Sequence, residues 1–329
     1  MSTTLPVLSS RTTTLDRRGP VDEDLRPETV DLISSGLSPS TWRAYTRDRV
    51  TIVEWCHSHG VEPIPATPAT VANYISAHVE ALAPSTIARR VAMWSWWHQA
   101  QGVENPCRDV TVRQALRGLR RRERTVREAA PLTSTELAAV LDSTPDDTLV
   151  GLRDRALLTV GLALGRRRSE LVALDVEDLH KVDRPSGYSV RIRRSKTDQE
   201  GEGVTVWLPR TGRSTCPVTA LEVWLARAGV DTGPVFRSVN RYGVIGGRLS
   251  DRSVSTVIRT SALRAGLPGD RWSGHSLRSG FVTDHARRGS STRAIARQTG
   301  HSPSSPVIHR YVRDMAPWED NAAAVEGWL

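Results

Sequence analysis

His275-Ser-Leu-Arg278 sets an imidazole and a guanidinium three residues apart. On a helix that spacing puts both groups on one face, within reach of the same anion. Gly300-His301 follows inside Gln298-Thr-Gly-His-Ser-Pro, a turn expected to end one helix and open another, and Tyr311 lies one short segment further on. Upstream, Gly165-Arg-Arg167-Arg-Ser-Glu170-Leu comes directly after the apolar run from Ala156 to Leu164, which places an arginine cluster at the end of a buried helix. Arginines that complement a helix dipole would account for such a terminal turn. They do not account for Glu170-Leu-Val, where a helical pattern resumes at once. Taken together, these residues place a tyrosine nucleophile behind cations suited to gripping a phosphate.

The elements that must position these groups can be read from the surrounding sequence. Tyr188-Ser-Val-Arg-Ile-Arg and Gly203-Val-Thr-Val-Trp-Leu alternate apolar and polar residues and read as a β-hairpin, with Lys196 between them in Arg194-Ser-Lys-Thr-Asp. Of 45 lysines and arginines, only Lys181 and Lys196 are lysine. In a chain that otherwise uses arginine, a retained lysine invites a chemical reason: an ammonium pKa can be shifted into a useful range, whereas a guanidinium stays protonated above ~12. Lys181 is read as lying in a polar loop without such a context.

Residues 1–21 are polar and aperiodic and are expected to form a flexible arm. Residues 22–120 read as a bundle of four or five helices, broken at Gly36, from Gly60 to Pro68, at Ala83-Pro84 and from Gly102 to Pro106. Trp94, Trp96 and Trp97 are read as core or protomer interface. A basic stretch follows, rich in arginine from Arg117 to Arg127, and residues 121–131 are taken as a linker along a phosphate backbone. A second domain, 132–329, opens on Thr133-Ser-Thr-Glu136, where Thr133 caps a helix and Glu136 reciprocates.

At 329 residues the chain has room for two cores, and a net charge of +9 with pI near 10.2 suggests a polyanionic partner. Cys56, Cys107 and Cys216 are scattered, which argues against a disulfide framework or zinc site and fits a reducing cytoplasm. No apolar run approaches the length of a membrane span.

Gly165, Arg167, Ser169, Glu170 and Leu171 match Gly-x-Arg-x-(Ser/Gly/Ala)-Glu-Leu, and with His275-x-x-Arg278, Gly300-His301 and Tyr311 the chain resembles the tyrosine recombinases, the Cre/Xer-like phage-integrase family. The interval from His301 to Tyr311 is one residue longer than the commonest family spacing and contains Pro303 and Pro306. The resemblance implies a mainly α chain: an N-terminal helical core-binding (SAM-like) bundle and a C-terminal α+β catalytic domain with a small β-sheet or hairpin. Helices opening at Ser38-Pro-Ser-Thr41 and at Pro84-Ser-Thr resemble those that enter the major groove, which makes Arg43, Arg47, Arg89 and Arg90, with Arg121 and Arg122 of the linker, candidate DNA contacts.

The chemistry the resemblance implies is site-specific cutting and rejoining of duplex DNA in integration, excision or resolution. Tyr311 attacks to form a 3′-phosphotyrosyl link, Arg167 and Arg278 hold the non-bridging oxygens, His275 accepts the tyrosine proton and His301 donates to a phosphate oxygen. Lys196 protonates the 5′-oxygen and Glu170 orients the basic groups. No metal, ATP or other cofactor is called for. The expected partners are a double-stranded recombination site and a tetramer of the chain on two sites, joined through the tail 316–329, in the cytoplasm of a bacterium or the host of a mobile element. Two other readings stay open: a catalytically silent DNA-binding protein, and a nicking or relaxing enzyme of the same chemistry.

Overall fold

The computed structural model describes residues 36–122, 129–193, 203–302 and 308. The chain divides into two compact units, Met1–Val126 and Arg127–Leu329. The N-terminal arm, Lys196, Tyr311 and the tail 316–329 lie outside the described residues.

In the first unit the described residues form α1 (Pro39–Ser58), α2 (Pro68–His78), α3 (Pro84–Ala100) and α4 (Val110–Arg121). A proline in the first turn of each of the first three removes an N–H that would have no partner there. Ser38 and Thr67 cap α1 and α2 by accepting the N–H groups of Thr41 and Thr70. The helices close on a core that includes Ile52, Tyr74, Ile87, Met93 and Trp94. Trp94 and Trp97 belong to this core, and the Trp94 indole donates to the Pro63 carbonyl at 2.7 Å. Trp96 is half-buried and meets Trp42 edge-on, ring centroids 5.7 Å apart. Beneath them His98 is neutral by construction. Its Nε2 accepts the Ala66 N–H at 2.9 Å and its Nδ1 donates to the Trp94 carbonyl at 2.9 Å.

The second unit is built round α6 (Leu149–Leu164), mostly apolar and buried along nearly its whole length, with the Arg153–Asp154 ion pair buried alongside. Before it comes α5 (Ser134–Asp142), opened as expected by the Thr133–Glu136 box, the Glu136 carboxylate accepting the Thr133 N–H at 2.9 Å. The short α7 (Arg168–Val172) follows α6, and a three-stranded antiparallel sheet follows that: β1 (Leu179–Asp183), β2 (Ser186–Ile192) and β3 (Val204–Pro209). The expected hairpin is the β2–β3 pair, in register from Tyr188 opposite Leu208 to Ile192 opposite Val204. Val190, Ile192, Val206 and Leu208 turn inward.

Lys181 departs from the sequence reading. It lies on β1, paired with Tyr188, because the edge strand exposes His180 and Lys181 side by side and so shows no alternation. Beyond the sheet come α8 (Pro217–Ala228), the two-stranded β4 (Arg237–Val239) and β5 (Ile245–Arg248), α9 (Asp251–Arg264), α10 (Ser276–Arg287) and α11 (Thr292–Thr299). Strands as short as Arg-Ser-Val and Ile-Gly-Gly-Arg carry too little pattern to announce themselves.

The start of this unit also differs from expectation. Ala130 donates its N–H to the Arg271 carbonyl at 2.8 Å and Leu132 to the Ser276 carbonyl at 2.9 Å. The end of the basic stretch, placed in the linker through residue 131, is therefore already part of the second unit. Gly280 on α10 permits this path, since a Cβ there would stand 1.8 Å from the Leu132 carbonyl oxygen. Among the described residues no helix is long and apolar enough to cross a membrane.

Candidate active site

Three segments of the second unit converge: the turn between α6 and α7, the start of α10, and the end of α11. Gly165 makes the first turn possible. It ends α6 at φ +59°, and a side chain there would meet Phe281 at 2.9 Å and Thr299 at 3.0 Å. The chain then re-enters a helix with Arg167 as N-cap of α7. Glu170, one turn on and buried, takes Arg167 Nη1 on Oε1 at 2.7 Å and the Arg167 N–H on Oε2 at 3.3 Å. The carboxylate thus fixes the direction of a guanidinium that stays one quarter exposed.

Arg278 joins all three segments. Its side chain is buried on the first turn of α10, and Nη1 donates both to the Gly165 carbonyl at 3.1 Å and to the Thr299 carbonyl. Nη2 is buried with no partner among the described residues. Burial, then the charge of Arg167 and that of Arg166, pull this arginine down to about 10 against the opposing pull of Glu170. A guanidinium with one side occupied by carbonyls and the other unsatisfied is held ready for an anion.

His275 does not lie within the helix with Arg278, as the three-residue spacing suggested. It is the N-cap of α10, exposed, its N–H donated to Ser273 Oγ at 3.1 Å. His301 follows Gly300, which ends α11 at φ +70°, and the opening of a further helix falls outside the described residues. Its Nδ1 is 2.8 Å from Thr299 Oγ1. Burial first, then Arg278, Arg167, His275 and Arg166, push the imidazole down to about 4.

Four residues that sequence reasoning passed over shape this site. Arg166, not Arg167, is the arginine that turns fully inward: Nη2 donates to the Arg297 carbonyl at 3.3 Å, Nη1 stands 4.0 Å from Glu170 Oε2, and Nε and Nη1 lack hydrogen-bond partners among the described residues. A Cβ on Gly300 would come within 2.5 Å of Arg166 Nη1. Three consecutive arginines carry no sign of which one faces inward; Arg168 points out to Asp251 at 3.3 Å. Thr299 supplies the oxygen at His301. Gln298 Nε2 donates to the carbonyls of Ala163 at 3.2 Å and Trp207 at 3.0 Å, fastening α11 to α6 and β3. Arg193, where β2 ends, binds Asp178 at 2.7 Å and Asp175 at 2.8 Å, so the base of the segment that contains Lys196 is anchored.

In the first unit the candidate arginines differ in their engagements. Arg43, Arg47 and Arg121 are exposed. Arg122, also exposed, meets Glu80 at 2.5 Å. Arg89 makes a bidentate pair with the buried Asp48, 2.8 Å on both arms, and remains half exposed. Arg90 is turned inward: Nη1 donates to the Tyr74 hydroxyl at 2.7 Å and Nε stands 3.6 Å from Asp48, an arrangement that supports the bundle.

Residues 131–316 match the family model described as "Phage integrase family". The chain belongs to the phage integrase family. The resemblance carried by the arginine, histidine and tyrosine motifs is thereby borne out, as is the mainly helical architecture with small antiparallel sheets. A relative named "Integrase/recombinase xerD homolog", from Selenomonas ruminantium, is 36% identical over 296 residues, covering 88% of this chain and 86% of its own. Among solved structures, the XerH site-specific recombinase bound to palindromic difH substrate superimposes with TM-score 0.62 at 16% identity, over 91% of this chain and 83% of that one. A lambda integrase tetramer bound to a Holliday junction does so with TM-score 0.55 at 18% identity, over 83% and 74%. These two likenesses are of fold.

Proposed function

We propose that this member of the phage integrase family is a site-specific recombinase that cuts and rejoins duplex DNA through a 3′-phosphotyrosyl link. One observation carries the reading: Arg278, tied to the carbonyls of Gly165 and Thr299, keeps a buried Nη2 with no partner among the described residues in the cluster formed by Arg167 and His301. That cluster is a cationic seat for one phosphodiester. In it Arg167 and Arg278 hold the non-bridging oxygens and offset the charge that develops at phosphorus. Glu170 keeps Arg167 aimed. Tyr311 is the nucleophile, an imidazole of the pair His275 and His301 takes its proton, and Lys196 protonates the 5′-oxygen as it leaves. The phosphodiester's energy stays in the protein–DNA bond, so rejoining needs no nucleotide.

The first unit supplies the grip on DNA through Arg43, Arg47 and Arg89, with Arg121 and Arg122 along the backbone. The protein works in the cytoplasm of a bacterium or of a mobile element's host. Assembly into a tetramer on two sites uses the tail 316–329. A pocket of about 780 Å³ in the second unit, with Leu137, Leu162, Trp207, Phe281 and Ile295 on its walls and Arg213, Asp284, His285 and Arg288 also lining it, gives a neighbour's tryptophans a place to lodge, and none of the site arginines line it.

The test begins with duplexes recovered from the source genome by binding to the protein. On a nicked duplex of that sequence the wild type is expected to become covalently attached, while Tyr311→Phe binds equally well and gives no adduct. An adduct that persists in the variant moves the nucleophile elsewhere. A wild type that binds but never attaches is a silent DNA-binding protein. Attachment without recombinant junctions from a two-site substrate identifies a nicking or relaxing enzyme.

A further inference from the structure

Arg166 is a buried charge whose hydrogen bonds do not match its burial. Its side chain, between the end of α6 and the start of α7, is 1% exposed. Nη2 donates to the Arg297 carbonyl at a long 3.3 Å, while Nε and Nη1 are buried with no partner among the described residues. A guanidinium has five N–H groups and keeps its charge inside a protein. Burial of such a group without partners lowers stability. Room is nonetheless kept for it: a Cβ on Gly300 would stand 2.5 Å from Arg166 Nη1, so glycine is required there by the guanidinium as well as by φ +70°.

The carboxylate that faces Arg166 is engaged elsewhere. Glu170 Oε2 stands 4.0 Å from Arg166 Nη1, but Glu170 takes Arg167 Nη1 on Oε1 at 2.7 Å and the Arg167 N–H on Oε2 at 3.3 Å. Arg278 is the third guanidinium of the group. Its Nη1 donates to the carbonyl of Gly165, the residue before Arg166, and its Nη2 also has no partner among the described residues. Among the described residues, then, three guanidiniums share one carboxylate. Positive charge is in surplus, and where solvent is excluded it acts over a longer distance than it would in water.

We propose that Arg166 is a positioning residue that acts by charge alone: buried behind Arg167 and Arg278, it lowers the stability of the free protein and strengthens the hold of those two arginines on a tetrahedral oxyanion. That the oxyanion is a phosphodiester rests on the recombinase reading; the buried charge does not. Arg167 and Arg278 offer N–H groups to the ligand, whereas Arg166 supplies only the field behind them. An apolar side chain of similar length in its place would fill the space beside Gly300 without burying a charge, a replacement that buried ionic groups often tolerate or gain from. The effect of Arg166 on stability is therefore opposite in sign to its effect on anion binding. A residue that merely braced the turn would not separate the two.

The test compares the full-length wild type with Arg166→Met and Arg166→Leu, without DNA, using sulfate as the probe. In the absence of sulfate, both variants are expected to have higher urea midpoints than the wild type. Sulfate is then titrated at an ionic strength held constant with chloride, and its affinity is read from the rise of the midpoint. Both variants are expected to bind it about tenfold more weakly, the order of effect of one unscreened unit charge near an anion. Arg168→Met removes the same charge two residues on, where the guanidinium points out to Asp251, and should leave the affinity within about twofold. On a duplex that the wild type cuts, adduct formation should fall about tenfold in Arg166→Met while duplex binding holds. Variants that are less stable than the wild type, or that do not fold, overturn the proposal by making Arg166 a brace. So do more stable variants with unchanged sulfate affinity, an equal loss in Arg168→Met, or a wild type that sulfate stabilises no better than chloride. Failure of the recombinase reading would show separately, as absence of any adduct from a wild type whose sulfate affinity still depends on Arg166.

Discussion

His301 is surrounded by positive charge, and its imidazole is held near 4 where the unfolded chain's would titrate near 6.5. Between those values the unfolded state binds a proton that the folded state refuses. Stability is therefore full above about pH 6.5, declines as pH falls, and has lost this contribution below about 4. Denaturant midpoints measured across this range should fall with acidity, with a shallower slope in His301→Gln. The slope should not vanish, because burial also lowers His98 and His285. Arg278 can be tested at the same scale. Arg278→Lys keeps the charge but replaces the planar fork, whose Nη1 faces the carbonyls while Nη2 is left for an anion, with a single point donor. It is expected to cost about 1–3 kcal/mol of stability and about a hundredfold or more in single-turnover cleavage, read by thermal melting and adduct formation. Arg167, His275, Arg278 and His301 were legible because each falls at a motif position, although helix spacing misplaced His275, which caps α10 and is not part of it. Arg166 and Thr299 were not, since their importance comes from burial and from partners more than a hundred residues away or across a turn, which spacing cannot reveal.

At the scale of elements, α10 carries Arg278 on one side and meets the start of the second unit on another. Gly280 marks that crossing. Gly280→Ala would force the Leu132 carbonyl and the helix apart, an overpacking expected to cost about 1–3 kcal/mol or more, measurable as a lowered urea midpoint with intact secondary structure. The β2–β3 pair was legible because alternation along both runs matches one buried face. β1, β4 and β5 were not, being an edge strand with three exposed polar residues, two of them adjacent, and two strands of three and four residues. The helices of the first unit were legible from their punctuation, proline at the start of three and a capping serine or threonine before two of them.

For the whole molecule, a net charge of +9 makes a large share of DNA affinity electrostatic, common to any sequence and eroded by salt. Assembly should depend on something else. Deleting residues 316–329 removes Trp318, Trp328 and Leu329, and burial of those three in a neighbour, as proposed, would supply ~1.5 to 3 kcal/mol each. The truncated protein is expected to bind one-site duplexes almost as the full chain does, yet to lose the four-subunit complex and recombination on two sites. Gel shifts and sedimentation with both substrates check this, and a truncated protein that still assembles and recombines refutes it.

The anchoring of Ala130 and Leu132 on the carbonyls of Arg271 and Ser276 sets where such a chain can be spliced to a relative's. A transplant of the first unit joined between Val126 and Arg127, where the two units part, would leave the anchored segment with the helix it belongs to. A seam at residue 131, where the arginine-rich stretch reads as ending, would instead put a foreign backbone at Ala130, whose N–H must reach the Arg271 carbonyl just before Leu132 crosses Gly280. Chimeras that exchange target preference while keeping the chemistry are therefore best cut a few residues earlier than the sequence alone suggests.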